Sequence, residues 1–125
     1  MDKRRNWAGT TFLSDFDGTI KPWNDYRPYP IAIRVIKRLY DAGVILGLNT
    51  CRNDDLLNQA VLLMEDWGIL GYFSKINEPF FEYMGDIRKL NADGLADDMC
   101  WDAMGLTAEE GWAMIEQHYF GDDKE

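Results

Sequence analysis

Two aspartates one residue apart are the first feature of this chain suited to chemistry. They lie in "FLSDFDGTI", Phe12 to Ile20, where Asp15 and Asp17 close an apolar run and Gly18-Thr19 follows. A carboxylate can attack an electrophile, exchange a proton or hold a hard cation, and a pair can divide those tasks. The same residues also make an ordinary strand end and turn. Two groups further along bear on the choice: Thr50, which ends the apolar run "VILGLNT", and Asp97-Asp98, which ends "ADGLADD". Taken singly, Thr50 is a β-branched strand residue, and an acidic pair is a turn or a helix cap. What they do together depends on the elements that position them.

Those elements alternate. Thr11 to Phe16 reads as a first strand. Pro30 opens a helix in which Ile31, Val35, Ile36, Leu39 and Tyr40 recur at helical spacing, with Gly43 at its stop. Val44 to Thr50 is a second buried strand. A second helix follows with Asn53 as its N-cap, an apolar stripe of Leu56, Leu57, Ala60, Val61, Met64 and Trp67, and Gly68 at its end. "YFSKI", Tyr72 to Ile76, is a third strand, and Asn77 to Asn91 reads as a loop with a short helix. Ala92 to Asp98 is a fourth strand, weakened by Gly94 and Ala96. "TAEE", Thr107 to Glu110, is a capping box that opens a last helix through Tyr119.

Alternation of this kind predicts a Rossmann-like three-layer α/β/α sandwich: a mostly parallel sheet with crossover helices on both faces. In such sheets ligands bind outside the carboxyl ends of the strands. Asp15 and Asp17, Thr50, and Asp97 with Asp98 all fall at strand carboxyl ends, so four carboxylates are expected to face one crevice. Two like charges about 4 Å apart repel by about 4 kcal/mol at an effective dielectric near 20. Such a cluster sheds charge by protonation or binds a cation. Oxygen ligands without His or Cys favour a hard ion, and a phosphate-handling site favours Mg²⁺.

The remaining composition narrows the function classes. One domain, residues 1–125, is expected from the length, which suffices to bury a core. The net charge of −9 argues against a nucleic-acid partner, because backbone binding needs Lys and Arg. No apolar run approaches the ~20 residues of a membrane span, and "MDKRRNWAGT" lacks the apolar region of a secretory signal. Cys51 and Cys100 are too few for a disulfide scaffold, which suits reduced thiols and a cytoplasmic location. His118, in the last helical pattern, reads as a half-exposed helix residue.

"DFDGT", then "LNT", then "RKLNADGLADD" resemble the four ordered motifs of the haloacid dehalogenase (HAD) superfamily of phosphotransferases: Asp-x-Asp-x-Thr, a Thr or Ser ending a strand, a Lys, and an acidic pair. The set runs from Asp15 to Asp98, roughly two-thirds of the chain. The resemblance implies a Mg²⁺-dependent phosphomonoester hydrolase working through an aspartyl-phosphate. Asp15 would be the nucleophile and Asp17 the general acid and base, the two pointing the same way from one strand. Thr50 would bind a phosphoryl oxygen beside the Phe16, Gly18 and Cys51 positions, and Lys89 would neutralise charge on the transferring group. Asp15, Asp98 and the Asp17 carbonyl would hold the ion, with Asp97 helping through water; which of Asp97 and Asp98 binds directly is open. Lys75 is a rival for the lysine role, with Lys89 preferred for its "RKL" context.

The chain departs from the family in reading Thr50-Cys51-Arg52 where relatives have Thr-Gly-Arg, and Cys51 is expected to be a packing residue. Neither gap between motifs has room for a cap domain, so an open, capless site is expected. It would take a phosphorylated small molecule or macromolecule, or be covered by a second copy in a homo-oligomer. "KPWNDYRPYP", Lys21 to Pro30, lies beside the nucleophile as a candidate substrate-contacting flap, whereas the tryptophans are expected mostly in the core. The principal alternative is a non-catalytic or phospho-accepting α/β binding or signalling module with a retained Mg²⁺ pocket.

Overall fold

The computed structural model describes residues 7–78 and 93–121. Four short strands, β1 (Thr11–Ser14), β2 (Ile45–Leu48), β3 (Phe73–Ile76) and β4 (Gly94–Ala96), form a sheet in the order β3-β2-β1-β4 with every pairing parallel. Among the described residues four α-helices accompany them, α1 (Pro30–Asp41), α2 (Asp54–Asp66), α3 (Asp98–Ala103) and α4 (Ala108–Phe120), with a short 3-10 turn at Leu70–Tyr72. All four residues of β1 are buried. Successive strand residues point to opposite faces, so the sheet is covered on both sides. The chain is therefore an α/β protein with helices flanking a parallel sheet in a Rossmann-like three-layer arrangement.

Local chemistry accounts for the elements. Pro30 begins α1, where its missing N–H costs nothing, and Ala32, Val35, Ile36 and Leu39 bury one face. The capping box of α4 forms: Thr107 Oγ1 accepts from the Glu110 N–H at 3.1 Å, and Glu110 Oε1 accepts from the Thr107 N–H at 2.9 Å. Asn53 stands at the N-cap of α2 without a side-chain capping bond. On one face of the sheet Phe12 and Leu46 are in register with Gly94, and the Phe12 ring lies 6.2 Å from Trp112 and 6.0 Å from Tyr119 of α4. A Cβ on Gly94 would run into Tyr119 and Phe12. The glycine that weakens β4 on propensity is what lets α4 close over it.

The connectivity locates a crevice. From β1 the sheet grows outward through β2 to β3, and β4 returns to the opposite side of β1. Strand order reverses between β1 and β4, which is where open α/β sheets bind ligands. Two expectations need correction. The first strand stops at Ser14 instead of Phe16; Asp15 stays beside β4, and Asp17 lies where the chain turns away. The acidic pair also opens a helix, α3, that periodicity did not reveal because it is six residues long. Among the described residues no helix is long and apolar enough to cross a membrane.

Candidate functional site

Asp15 continues the line of β1, its N–H donating to the Ala96 carbonyl of β4 at 2.8 Å. Asp97 and Asp98 follow β4 directly. The result is a group of carboxylate oxygens from Asp15, Asp97 and Asp98 that all lie within 4.8 Å of one another. A clasp fixes the arrangement. The fully buried Thr19 hydroxyl accepts from the Asp98 N–H at 3.0 Å, and the Thr19 carbonyl accepts from the Trp112 indole N–H at 2.8 Å. Asp97 is at once a member of the group and the cap of α3, accepting from the Met99 N–H at 2.8 Å.

Asp15 must ionise beside two other carboxylates. Burial pushes the Asp15 carboxyl up, and a hydrogen bond with Asp98 together with the charges of Asp97 and Asp98 adds to it. The Phe16 N–H, donating to Asp15 Oδ1 at 2.8 Å, opposes the rise but does not cancel it, and the value reaches about 7.

Asp17 behaves in the opposite way. Burial again pushes it up, but hydrogen bonds from Arg52 and Lys21 and their charges outweigh that and hold it below the ordinary carboxylate value. Arg52 donates through Nε to Oδ2 at 2.7 Å and through Nη2 to Oδ1 at 2.9 Å, a two-pronged pairing. The buried Lys21 Nζ stands 3.2 Å from Oδ1 and donates to the Pro22 carbonyl at 2.7 Å. The expected group of four carboxylates facing one crevice is thus a group of three. After Ser14 the chain turns, with Gly18 at φ +75° and its N–H donating to the Lys21 carbonyl at 2.7 Å. Asp17 no longer shares a strand with Asp15, and two cations are better company for it than three carboxylates.

The other predicted positions divide. Phe16 is fully buried, its ring under the Arg52 guanidinium at 5.1 Å and stacked on Trp67 at 5.8 Å. Thr50 is half-buried beyond β2; its N–H donates to Asn77 Oδ1 at 2.8 Å, and its hydroxyl accepts from the Arg52 N–H at 3.2 Å while keeping a proton to donate. Cys51 is exposed, which overturns its reading as a packing residue. Lys89 lies outside the described residues. Lys75 is on the edge strand β3, with its Nζ 4.0 Å from Glu78. His118 is exposed on α4. Trp101 and Trp112 are in the core as expected, but Trp23 is 66% exposed, and its indole N–H donates to Asp98 Oδ2 at 3.0 Å.

Sequence reasoning therefore passed over Arg52 and Thr19 as working parts of the site, and it placed Lys21 and Trp23 in a flap without giving them their partners Asp17 and Asp98. Signals existed for two of them: Lys21 stands four residues after Asp17, and Arg52 two after Thr50.

A donor set of three carboxylates without nitrogen or sulfur fits a hard divalent cation. Comparison with known proteins bears on the fold. No family model matches the chain, and no curated protein does. It is similar to the solved structure of a conserved protein from Bacteroides thetaiotaomicron, with 28% sequence identity and a TM-score of 0.70, over 93% of this chain and 92% of that one. The two share one fold over nearly their whole length.

Proposed function

We propose that this chain is a Mg²⁺-dependent phosphomonoester hydrolase of the haloacid dehalogenase type, acting through an aspartyl-phosphate on Asp15. The observation that carries the reading is the meeting of Asp15 with Asp97 and Asp98 at the strand-order reversal, within 4.8 Å. These three side chains would hold the ion, which when bound supplies positive charge to the carboxylates and to a phosphoryl group beside them. The ordered motifs around Asp15, Thr50 and Asp98 support the same reading.

The chain's own groups then have definite tasks. An ionised Asp15 oxygen attacks phosphorus as the ester oxygen departs, leaving an acyl phosphate that water hydrolyses. The Phe16 N–H, already on Asp15 Oδ1, orients that carboxylate so that the other oxygen is the one offered. The Thr50 hydroxyl donates to a phosphoryl oxygen. Asp17 gives a proton to the departing oxygen and takes one from the incoming water. Paired to Arg52 and Lys21 it is a poor acid, so turnover requires that this pairing loosen when substrate binds.

That pairing favours a second reading, in which Asp15 accepts a phosphoryl group and releases it slowly or never. One experiment separates the two. Purified protein is given 4-nitrophenyl phosphate with Mg²⁺, with a chelator, and as Asp15→Asn. Multiple turnovers that need the metal and vanish in the variant support the hydrolase. One phosphoryl group per chain without turnover supports the acceptor, and no reaction with any phosphorylated compound overturns both.

A further inference from the structure

Asp98 is also a wall of a cavity of about 250 Å³ on the flap side of the site. Its other walls include Gly18, Trp23, Tyr29, Trp101 and Asp102. Three of these are aromatic, and the two charged walls are both anionic. No lysine or arginine lines it among the described residues. Tyr29 reports the same field: burial pushes its hydroxyl up, and the charges of Glu109 and Asp98 add to the rise.

Trp23 is the unusual member. A tryptophan that is 66% exposed contributes little to the core, yet this one is held in place by its indole N–H on Asp98 Oδ2 at 3.0 Å. The approach depends on Gly18, where a Cβ would run into both the indole and the Asp98 carboxylate. The flap thus presents an oriented aromatic ring at the border between the carboxylate group and the cavity. Exposed tryptophans fixed by a polar handle are typical of surfaces that stack on a ligand.

We propose that this cavity receives the alcohol portion of the substrate, and that this alcohol is a flat aromatic group bearing no further negative charge. The inference rests on the phosphomonoesterase reading, since an ester with its phosphoryl group at Asp15 has its alcohol within reach of a cavity that shares Asp98 with that site. Size sets a limit. The volume lies below the roughly 300–1,000 Å³ of pockets for drug-sized ligands, which restricts the occupant to one or two rings. Charge sets another: Asp102, which lies outside the group that would hold the ion, repels an alcohol carrying a carboxylate or a second phosphate.

Non-reacting probes test this independently of turnover. Phenylphosphonate, methylphosphonate and 4-carboxyphenylphosphonate are titrated calorimetrically into the full chain with Mg²⁺ present. Phenylphosphonate is expected to bind about tenfold or more tightly than methylphosphonate, and about tenfold or more tightly than its carboxylated analogue. In Trp23→Ala the preference for phenyl over methyl should fall to about twofold or less. Trp23→Phe keeps a ring and loses the indole donor that orients it, so its preference should fall between those of wild type and Trp23→Ala; thermal melting of both variants checks their folding. Equal affinity for phenyl and methyl, a preference that survives Trp23→Ala, tighter binding of the carboxylated probe, or no binding of any probe would each overturn the proposal. Binding with the expected preference but without hydrolysis of phenyl phosphate would remove the phosphatase reading and leave the cavity as an aromatic binding site.

Discussion

Around Asp15 the charged neighbours are Asp97 and Asp98, while around Asp17, two residues further along, they are Arg52 and Lys21. Both carboxyl groups are partly buried, and burial pushes both upward. The neighbours decide the outcome, raising one to about 7 and holding the other below its ordinary value. One side of the turn carries charge that nothing in the described residues balances, and the other carries two cations for one anion. Neighbouring charges of opposite sign thus set two carboxyl groups of one loop apart. The imbalance at Asp15 is what a divalent cation would relieve, and the surplus at Asp17 is what an incoming phosphoryl anion would meet.

The contrast can be broken from either side. The largest effect is expected at Asp15: Asp15→Asn should lower kcat for an aryl phosphate by about a thousandfold or more, measured against wild type at saturating Mg²⁺. The next concerns pH in the presence of a chelator. The folded value of Asp15 lies above its unfolded value of 3.8, so its stabilising contribution is complete below that pH and lost as pH rises through about 7. The melting temperature should fall by about 10 °C between pH 5 and pH 8, and Asp15→Asn should flatten that limb. Mg²⁺ competes with the proton for the same oxygens, so it should restore more at pH 8 than at pH 5.

On the Asp17 side, Arg52→Met should cost about 2 kcal/mol in denaturant unfolding, because a partly buried carboxylate keeps only Lys21. Asp17 has the opposite sign to Asp15. Its contribution is present above pH 3.8 and lost as pH falls through the lower folded value, and Arg52→Met should shrink that acid limb. Glu116 calibrates both sides from outside the site. It joins α1 to α4 through Arg34 at 2.8 Å and Arg38 at 3.0 Å, near the surface, so Glu116→Ala should cost about 1 kcal/mol or less with no change in metal affinity. A larger loss there would mean that ion pairs in this protein are worth more than the contrast between the two aspartates assumes.

How much of this the sequence foretold varied with range. The apolar periodicity of α1, the capping box of α4 and the strand–helix alternation are local, and they led to the correct architecture. The meeting of Asp15 with Asp97 and Asp98 was also legible, because a parallel sheet puts strand carboxyl ends side by side. The divergence of Asp17 was not. It depends on where Gly18 turns the chain and on a guanidinium 35 residues away in the chain, neither of which has a periodic signature. β4 was doubtful for an analogous reason: its glycine makes sense only once Phe12 and Tyr119 are seen to occupy the space a side chain would need. Trp23 fell both within the expected flap and among tryptophans expected mostly in the core, because residue type alone says nothing about which of them has an acidic partner.

The double grip on Thr19 has a consequence for binding strength. Since its hydroxyl tethers the Asp98 amide while its carbonyl is tied to Trp112 in the interior, the mutually repelling oxygens are assembled ahead of any guest. A divalent ion would therefore find its seat already shaped, and little ordering entropy would be charged against its arrival.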